Sequence, residues 1–247
     1  MAVSVVVPAY QEAASIVPSL TRLAAVMDAS GRPYEIVVVS DGSTDGTADK
    51  ARALDLPHTT VLEYFPNRGK GFALRYGFEH SSNPLVAFID GDLDLDPAVL
   101  PGFLARIDDD EADVVVGSKV HPQSDVVYPL IRRVASRSFR LATRVMLGLD
   151  LGDTQTGVKA MRRSVVAPVM DGLTVTGFAF DLELMCWLQE RGARIQEAPV
   201  VLDFEFSSSI RASSVWEAVR DLQTVARHRQ QRMLRPAAVV VREVAVQ

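Results

Sequence analysis

Short aliphatic, β-branched runs recur along the first half of the chain, each followed by a stretch whose apolar positions return every three or four residues. The runs Val3–Val7, Glu35–Ser40, Val61–Tyr64, Leu85–Ile89 and Val114–Gly117 predict strands. Between them, Ile16–Met27, Thr47–Leu54, Gly71–His80 and Ala98–Ile107 carry helical spacing. The strands are apolar almost throughout instead of alternating, as a sheet covered on both faces requires. Regular alternation over about the first 120 residues therefore predicts an α/β fold, a mostly parallel sheet flanked by helices. No internal repeat or low-complexity linker interrupts it.

The second half reads differently. From Tyr128 to Gly148, Arg133, Arg137, Arg140 and Arg144 form one stripe of a helix, beside an apolar stripe of Leu130, Val134, Leu141 and Val145. A second amphipathic stretch runs from Ser213 to about Arg232, with Val215, Val219, Leu222 and Ala226 on one face. Two readings fit both stretches. They are core-packing helices with solvated arginines, or basic helices resting on an anionic membrane surface. The acidic run Asp108-Asp109-Asp110-Glu111 predicts a solvated helix end.

Composition narrows the class. The 247 residues suit one large domain or two small ones, and 48% hydrophobic with 23% charged excludes a largely disordered chain. The net charge of −5 gives no cationic field to recommend nucleic acid as a partner. A single cysteine, Cys186, excludes an intrachain disulfide framework and a Cys-rich zinc site, and suits a reducing compartment. No apolar run approaches the roughly 20 residues of a membrane span. The segment Met1-Ala2-Val3-Ser4-Val5 lacks the pattern of a secretory signal. The expectation is a cytoplasmic protein, peripheral on the inner face of the membrane if the basic helices meet lipid.

Ligands of open parallel sheets bind beyond the carboxyl ends of the strands. Those ends carry Pro8-Ala9-Tyr10-Gln11-Glu12, Asp41-Gly42-Ser43-Thr44-Asp45-Gly46 and Asp90-Gly91-Asp92-Leu93-Asp94-Leu95-Asp96-Pro97. Asp90 and Asp92 flank a glycine, so a bend can aim both carboxylates at one point, with Asp94 adding a third oxygen. Hard oxygen ligands of this kind suit Mg²⁺ or Mn²⁺, which also bind through substrate phosphates. Capping the helix near Pro97 needs Asp96 alone. The further acids exceed that need, and a cation relieves their repulsion. Asp41, ending a buried strand, can accept the N–H groups of a uracil or guanine. Asn67-Arg68-Gly69-Lys70-Gly71 offers backbone N–H groups and a lysine to phosphate, without Walker spacing. No G-x-G-x-x-G follows the first strand, which argues against a dinucleotide dehydrogenase. The four histidines, His58, His80, His121 and His228, lack metal-ligand spacing and read as surface or loop residues.

These motifs together resemble the family 2 glycosyltransferases of GT-A fold. The resemblance rests on Pro8-Ala9-Tyr10-Gln11-Glu12, Asp41-Gly42-Ser43-x-Asp45-Gly46-Thr47, Asn67-x-Gly69-Lys70-Gly71 and Asp90-Gly91-Asp92, in that order. It continues through Gly117-Ser118-Lys119, Arg132-x-x-x-Ser136 and Asp153-Thr154-Gln155-Thr156-Gly157-Val158-Lys159. Phe180-Asp181-Leu182-Glu183-Leu184 and Glu197-Ala198-Pro199-Val200 complete it. Within the family the chain is similar to the polyprenyl-phosphate and dolichyl-phosphate glucose and mannose synthases, over about residues 3–230.

The resemblance implies that Pro8, Tyr10, Glu12, Asp41 and Lys70 hold the donor nucleotide, together with Asp90 and Gly91. It implies that Asp90, Asp92 and Asp94 bind Mg²⁺ or Mn²⁺, that Lys119, Arg132 and Ser136 hold the acceptor phosphate, and that Asp153 and Asp92 serve catalysis. Three departures stand out: Ser40 precedes Asp41 where relatives carry an Asp pair, Lys119 replaces a common Arg, and Asp203-Phe204-Glu205-Phe206 occupies a zone where relatives often have a phosphate-binding Arg. The implied reaction is inverting transfer of a hexose, glucose ahead of mannose, from UDP-glucose or GDP-mannose to polyprenyl phosphate. Alternatives are a family 2 transferase with a soluble sugar or metabolite acceptor, and a non-catalytic nucleotide-sugar binding module. A sugar nucleotidyltransferase is disfavoured, because its Gly-rich loop after the first strand is missing. The expected organisation is one GT-A domain over 1–235, with a nucleotide part about 1–120, an acceptor part about 121–235 and a tail at 236–247.

Overall fold

The structure is a computed structural model and describes residues 1–92, 94–124, 140–149, 151–154, 156–177, 179–201, 220 and 222–231. Its strands are β1 (Val3–Ala9), β2 (Tyr34–Asp41), β3 (Thr59–Tyr64), β4 (Leu85–Phe88), β5 (Val114–Ser118), β6 (Lys159–Arg162) and β7 (Ile195–Pro199). Its helices are α1 (Ile16–Ala29), α2 (Thr47–Ala53), α3 (Lys70–Glu79), α4 (Leu100–Asp108), α5 (140–147), α6 (Arg163–Met170), α7 (Phe180–Glu190) and α8 (222–231). The strands form one sheet in the order β3-β2-β1-β4-β6-β5-β7. Among the described residues only β6 runs against the others, antiparallel to both β4 and β5.

Residues alternate between the two faces, and both faces are covered. Val3, Val5 and Val7 of β1 pack with Ile36, Leu85 and Ala87 against Ile16 and Leu20 of α1 and Leu104 and Ile107 of α4. Val6, Val39 and Phe88 point the other way, into Leu74 and Phe78 of α3, Leu184 of α7 and Val225 of α8. Complete burial of each such aliphatic side chain contributes about 1.5–3 kcal/mol. This explains why the strands read as continuous apolar runs. The strand order also reverses between β1 and β4, which gathers the carboxyl ends of β1, β2 and β4 at one edge.

Several details differ from the sequence reading. β6 follows no apolar run: Lys159 and Arg162 bracket Ala160 and Met161, and Lys159 is buried only because it meets an acid. α4 begins at Leu100 after a 3₁₀ turn at Pro97–Val99. Asp96 does cap that turn, accepting from the Ala98 N–H at 2.9 Å.

The run Asp108-Asp109-Asp110-Glu111 is the solvated end of α4, as read, and it also carries ion pairs. Arg32 binds Asp108, and Arg162 and Arg194 meet Asp110 at 2.9 and 2.7 Å. These arginines come from distant parts of the chain, so no local pattern announces them.

On α5 the buried positions are Thr143 and Leu147, whereas Leu141 and Val145 are 63% and 76% exposed. The core-facing side of α5 is thus not the apolar stripe read from the sequence. Arg133, Arg137, Leu130 and Val134 lie outside the described residues, as do Val215 and Val219. On α8, Leu222 and Val225 are buried.

Candidate active site

The loops after β1 and β2 are laced together. Gln11 donates its N–H to the Ser43 hydroxyl (3.1 Å), and its side-chain oxygen accepts from Thr44 N–H (2.9 Å). Glu12 N–H donates to the Thr47 hydroxyl (2.9 Å), and Ala13 N–H donates to Asp45 (2.9 Å). Asp45 also accepts from the Thr47 hydroxyl, which holds its carboxyl below the usual range. The small polar residues of 43–47 therefore fix the β1 loop, although Thr44 and Asp45 remain exposed. Tyr10 stands 51% exposed beyond this lacing, and Pro8 is buried in the sheet.

Asp41 ends β2 and is 3% exposed. Its carboxylate accepts from Arg68 N–H (2.7 Å), Gly69 N–H (2.9 Å) and the Asn67 side-chain amide (3.0 Å). A carboxylate offers about four acceptor positions, so at most one remains for a nucleobase. Here Asp41 holds the 67–69 loop. Ser40, in contrast, is fully buried and exposes nothing to a base. Beside the loop, Arg68 lies 3.5 Å over the Phe72 ring, and Phe72 meets Tyr64 edge-on at 5.1 Å.

The loop delivers Lys70, whose Nζ bonds both oxygens of Asp90, at 2.6 and 2.8 Å. Burial pulls the Lys70 ammonium down, but the charges of Asp90 and, behind it, Asp181 more than reverse this and raise it. Two residues on, loss of water around its carboxylate and the charge of Asp90 push Asp92 up to about 6, with Asp94 and Glu12 adding to the effect. Four acids thus share one negative field at the ends of β1 and β4. Among the described residues no three metal-ligating side chains stand preassembled. Two crowded carboxylates nonetheless fit an ion that completes its shell with water and substrate phosphate.

A second group of contacts is built from 151–159 and β7. Asp153 donates its N–H to Glu197 (3.0 Å), and its carboxylate accepts from Lys119 N–H (3.2 Å) and from the Thr156 hydroxyl. Gly157 lies against Asp90, where an added Cβ would come within 2.0 Å of a carboxylate oxygen. The same short segment thereby touches Asp153 and Asp90. Lys159, 1% exposed, then pairs with Asp181 of α7 at 2.9 Å. Arg132 and Ser136 lie outside the described residues.

Lys159, Asp181, Glu183 and Glu197 carry no individual role in the sequence motifs. Asp181 and Glu183 do stand out in the sequence, as acids set inside the apolar run 180–188. His228, read as an ordinary surface residue, stands on α8 with Nδ1 2.8 Å from the Thr174 hydroxyl and 3.5 Å from Glu183.

A seven-stranded, mostly parallel sheet with acids and a lysine gathered at its strand ends is the architecture of the GT-A glycosyltransferases. The chain belongs to glycosyl transferase family 2, whose family model it matches over residues 4–169. It is 32% identical to the undecaprenyl-phosphate mannosyltransferase of Micrococcus luteus over 208 residues, covering 81% of this chain and 83% of that protein. It is 32% identical over 200 residues to a dolichyl-phosphate beta-glucosyltransferase of Drosophila melanogaster, covering 74% of this chain but only 61% of that one. In fold it is similar to glucosyl-3-phosphoglycerate synthase from Mycobacterium tuberculosis, crystallised with Mn²⁺, UDP and phosphoglyceric acid. That likeness has a TM-score of 0.68 at 20% identity and covers 91% of this chain and 78% of the other.

Proposed function

We propose that the protein transfers a hexose, glucose ahead of mannose, from a nucleotide-diphosphate sugar to polyprenyl phosphate with inversion. The observation that carries this reading is the Asp90–Gly157–Thr156–Asp153 juxtaposition: one short segment touches both Asp90, assigned in this proposal to the donor diphosphate, and Asp153, assigned to the acceptor end. The names of both relatives, a polyprenyl-phosphate mannosyltransferase and a dolichyl-phosphate glucosyltransferase, support the acceptor class.

In this reading Pro8, Tyr10, Glu12 and Asp41 border the nucleoside, and Lys70 and Gly91 border the diphosphate. Asp90 and Asp92, with Asp94, would hold Mg²⁺ or Mn²⁺, which when bound neutralises charge on the departing diphosphate. The Mn²⁺ and UDP of the M. tuberculosis neighbour support such an ion. Lys119, Arg132 and Ser136 would hold the acceptor phosphate. That phosphate is already largely ionised near pH 7, so transfer needs orientation more than a strong base. Asp153, its carboxylate already accepting from the Thr156 hydroxyl and Lys119 N–H, suits an orienting and charge-stabilising role.

No helix among the described residues is long and apolar enough to cross a membrane. Leu141, Val145 and Met146 are nevertheless exposed on α5 beside Arg144. An apolar and basic helix face of this kind supports peripheral attachment to an anionic membrane surface, where the acceptor lipid resides. Residues 1–120 would form the nucleotide part and 121–235 the acceptor part of one domain.

A thermal-shift panel of UDP- and GDP-sugars with Mn²⁺ tests the donor half. A ligand at 100 times its Kd stabilises by about 2.7 kcal/mol, so the true donor raises the melting temperature above its competitors. No shift with any sugar nucleotide would remove the donor site.

A further inference from the structure

The segment Phe180-Asp181-Leu182-Glu183-Leu184 carries two buried acids that the proposed reaction does not use, Asp181 at 3% and Glu183 at 0% exposure. Each is fully engaged, and each holds a different piece of the site. Asp181 bonds Lys159 Nζ at 2.9 Å, and the same ammonium donates to the carbonyl of Thr156. That fixes the segment in which the Thr156 hydroxyl reaches Asp153 and Gly157 abuts Asp90. Glu183 accepts from the N–H groups of Thr174 and Val175, both at 2.9 Å, and from the Thr174 hydroxyl at 3.1 Å. The next residue, Thr176, accepts through its carbonyl from Gly71 N–H (2.7 Å) and Phe72 N–H (3.3 Å), at the start of α3. Gly69, at φ +92°, leaves room for that carbonyl, since an added Cβ would stand 2.5 Å from it. Lys70 lies between these two contacts and reaches Asp90.

We infer that Asp181 and Glu183 are positioning residues: from one turn of α7 they set the two arms, Lys70 and Thr156–Gly157, that converge on Asp90. Glu183 acts on the donor side through 174–176 and the 69–72 turn. Asp181 acts on the Asp153 side through Lys159. The inference rests on the reading that Asp90 lies at the donor diphosphate, but the arm geometry can be tested without turnover.

Amide hydrogen exchange and steady-state kinetics on the full chain separate the two arms. Glu183→Leu removes the acceptors for Thr174 and Val175. Exchange at Gly71 and Phe72 should then rise about tenfold or more, and the KM for UDP-glucose or GDP-mannose should rise while kcat changes little. Glu183→Gln, which can still accept both N–H groups with its amide oxygen, should restore both readings. Gly69→Ala should reproduce Glu183→Leu without touching α7, and so keeps the test available if Glu183→Leu does not fold.

The paired change Lys159→Met with Asp181→Leu removes both charges together, which a core tolerates far better than removal of one. It should lower kcat about tenfold or more, as expected when a group aligned for the reaction shifts, and leave exchange at Gly71 and Phe72 unchanged. Unaltered exchange at Gly71 and Phe72 in both Glu183→Leu and Gly69→Ala would overturn the inference. So would kcat and KM moving together in both sets of variants, which is the behaviour of general destabilisation. Normal exchange shifts without turnover of either donor would instead overturn the functional reading alone.

Discussion

Lys70 Nζ stands 2.6 Å from one carboxylate oxygen of Asp90 and 2.8 Å from the other, so a residue of the Gly-rich loop neutralises the first acid after β4. The pair sets a positive charge against Asp90 beside the acids Asp92 and Asp94. It also leaves a cation at the edge where a diphosphate would bind.

Lys70→Gln removes that cation while keeping much of the side chain's length. Affinity for the nucleoside diphosphate should fall by about 1.5–3 kcal/mol, the range for a hydrogen bond to a charged group. Isothermal titration with UDP and with GDP, in Mn²⁺, measures it. Unchanged affinity for both would place the diphosphate elsewhere.

Asp92→Ala should abolish transfer and leave the melting temperature near that of the wild type, because Asp92 belongs to neither hydrophobic core and crowds like charges. EDTA should reproduce the loss in the wild type, and added Mn²⁺ or Mg²⁺ should reverse it. Full activity in EDTA contradicts the metal assignment.

Hydrogen bonds from Arg194 hold Asp110 and Asp113 below the usual carboxylate range. A carboxyl whose folded pKa is depressed adds stability that is present above its unfolded value of about 3.9 and lost as pH falls through the folded value. Arg194→Gln should therefore lower the melting temperature at pH 7, and the gap to wild type should narrow on acidification from about pH 4 downward. Melts at pH 7 and below about pH 4 decide this. An equal gap at both would mean that Arg194 acts through packing alone.

Arg140→Glu with Arg144→Glu should weaken sedimentation with anionic vesicles by roughly 1 kcal/mol per removed charge, or more with the reversal of sign. High salt should weaken wild-type binding in the same way. Transfer to a short, water-soluble prenyl phosphate should be spared. Vesicle binding indifferent to both changes would leave α5 as an ordinary solvated face.

The strands that frame the site were legible because their middle positions are buried on both faces, which makes Val5–Val7 and Ile36–Val39 unbroken aliphatic runs. The acids at their ends were legible for the opposite reason, since nothing in the core accounts for Asp90, Asp92 and Asp94 together. β6 was not legible, because Lys159 interrupts it and its partner Asp181 lies on a helix beyond. The same holds for Asp41. Its position suggested a base contact, but its three bonds to Asn67, Arg68 and Gly69 depend on how β2 sits against a loop that follows β3. Short-range pattern carries burial and turn chemistry, whereas pairings across the sheet require the fold itself.

The acceptor tests the account most directly. Purified protein, Mn²⁺ and radiolabelled UDP-glucose or GDP-mannose are incubated with polyprenyl phosphate, and the organic phase is counted. Label should appear in a polyprenyl-phosphate hexose with one of the two donors, and be lost in Asp92→Ala and in EDTA. Donor turnover with label only in water-soluble product, and none in the lipid, would contradict it and assign the site to a soluble acceptor.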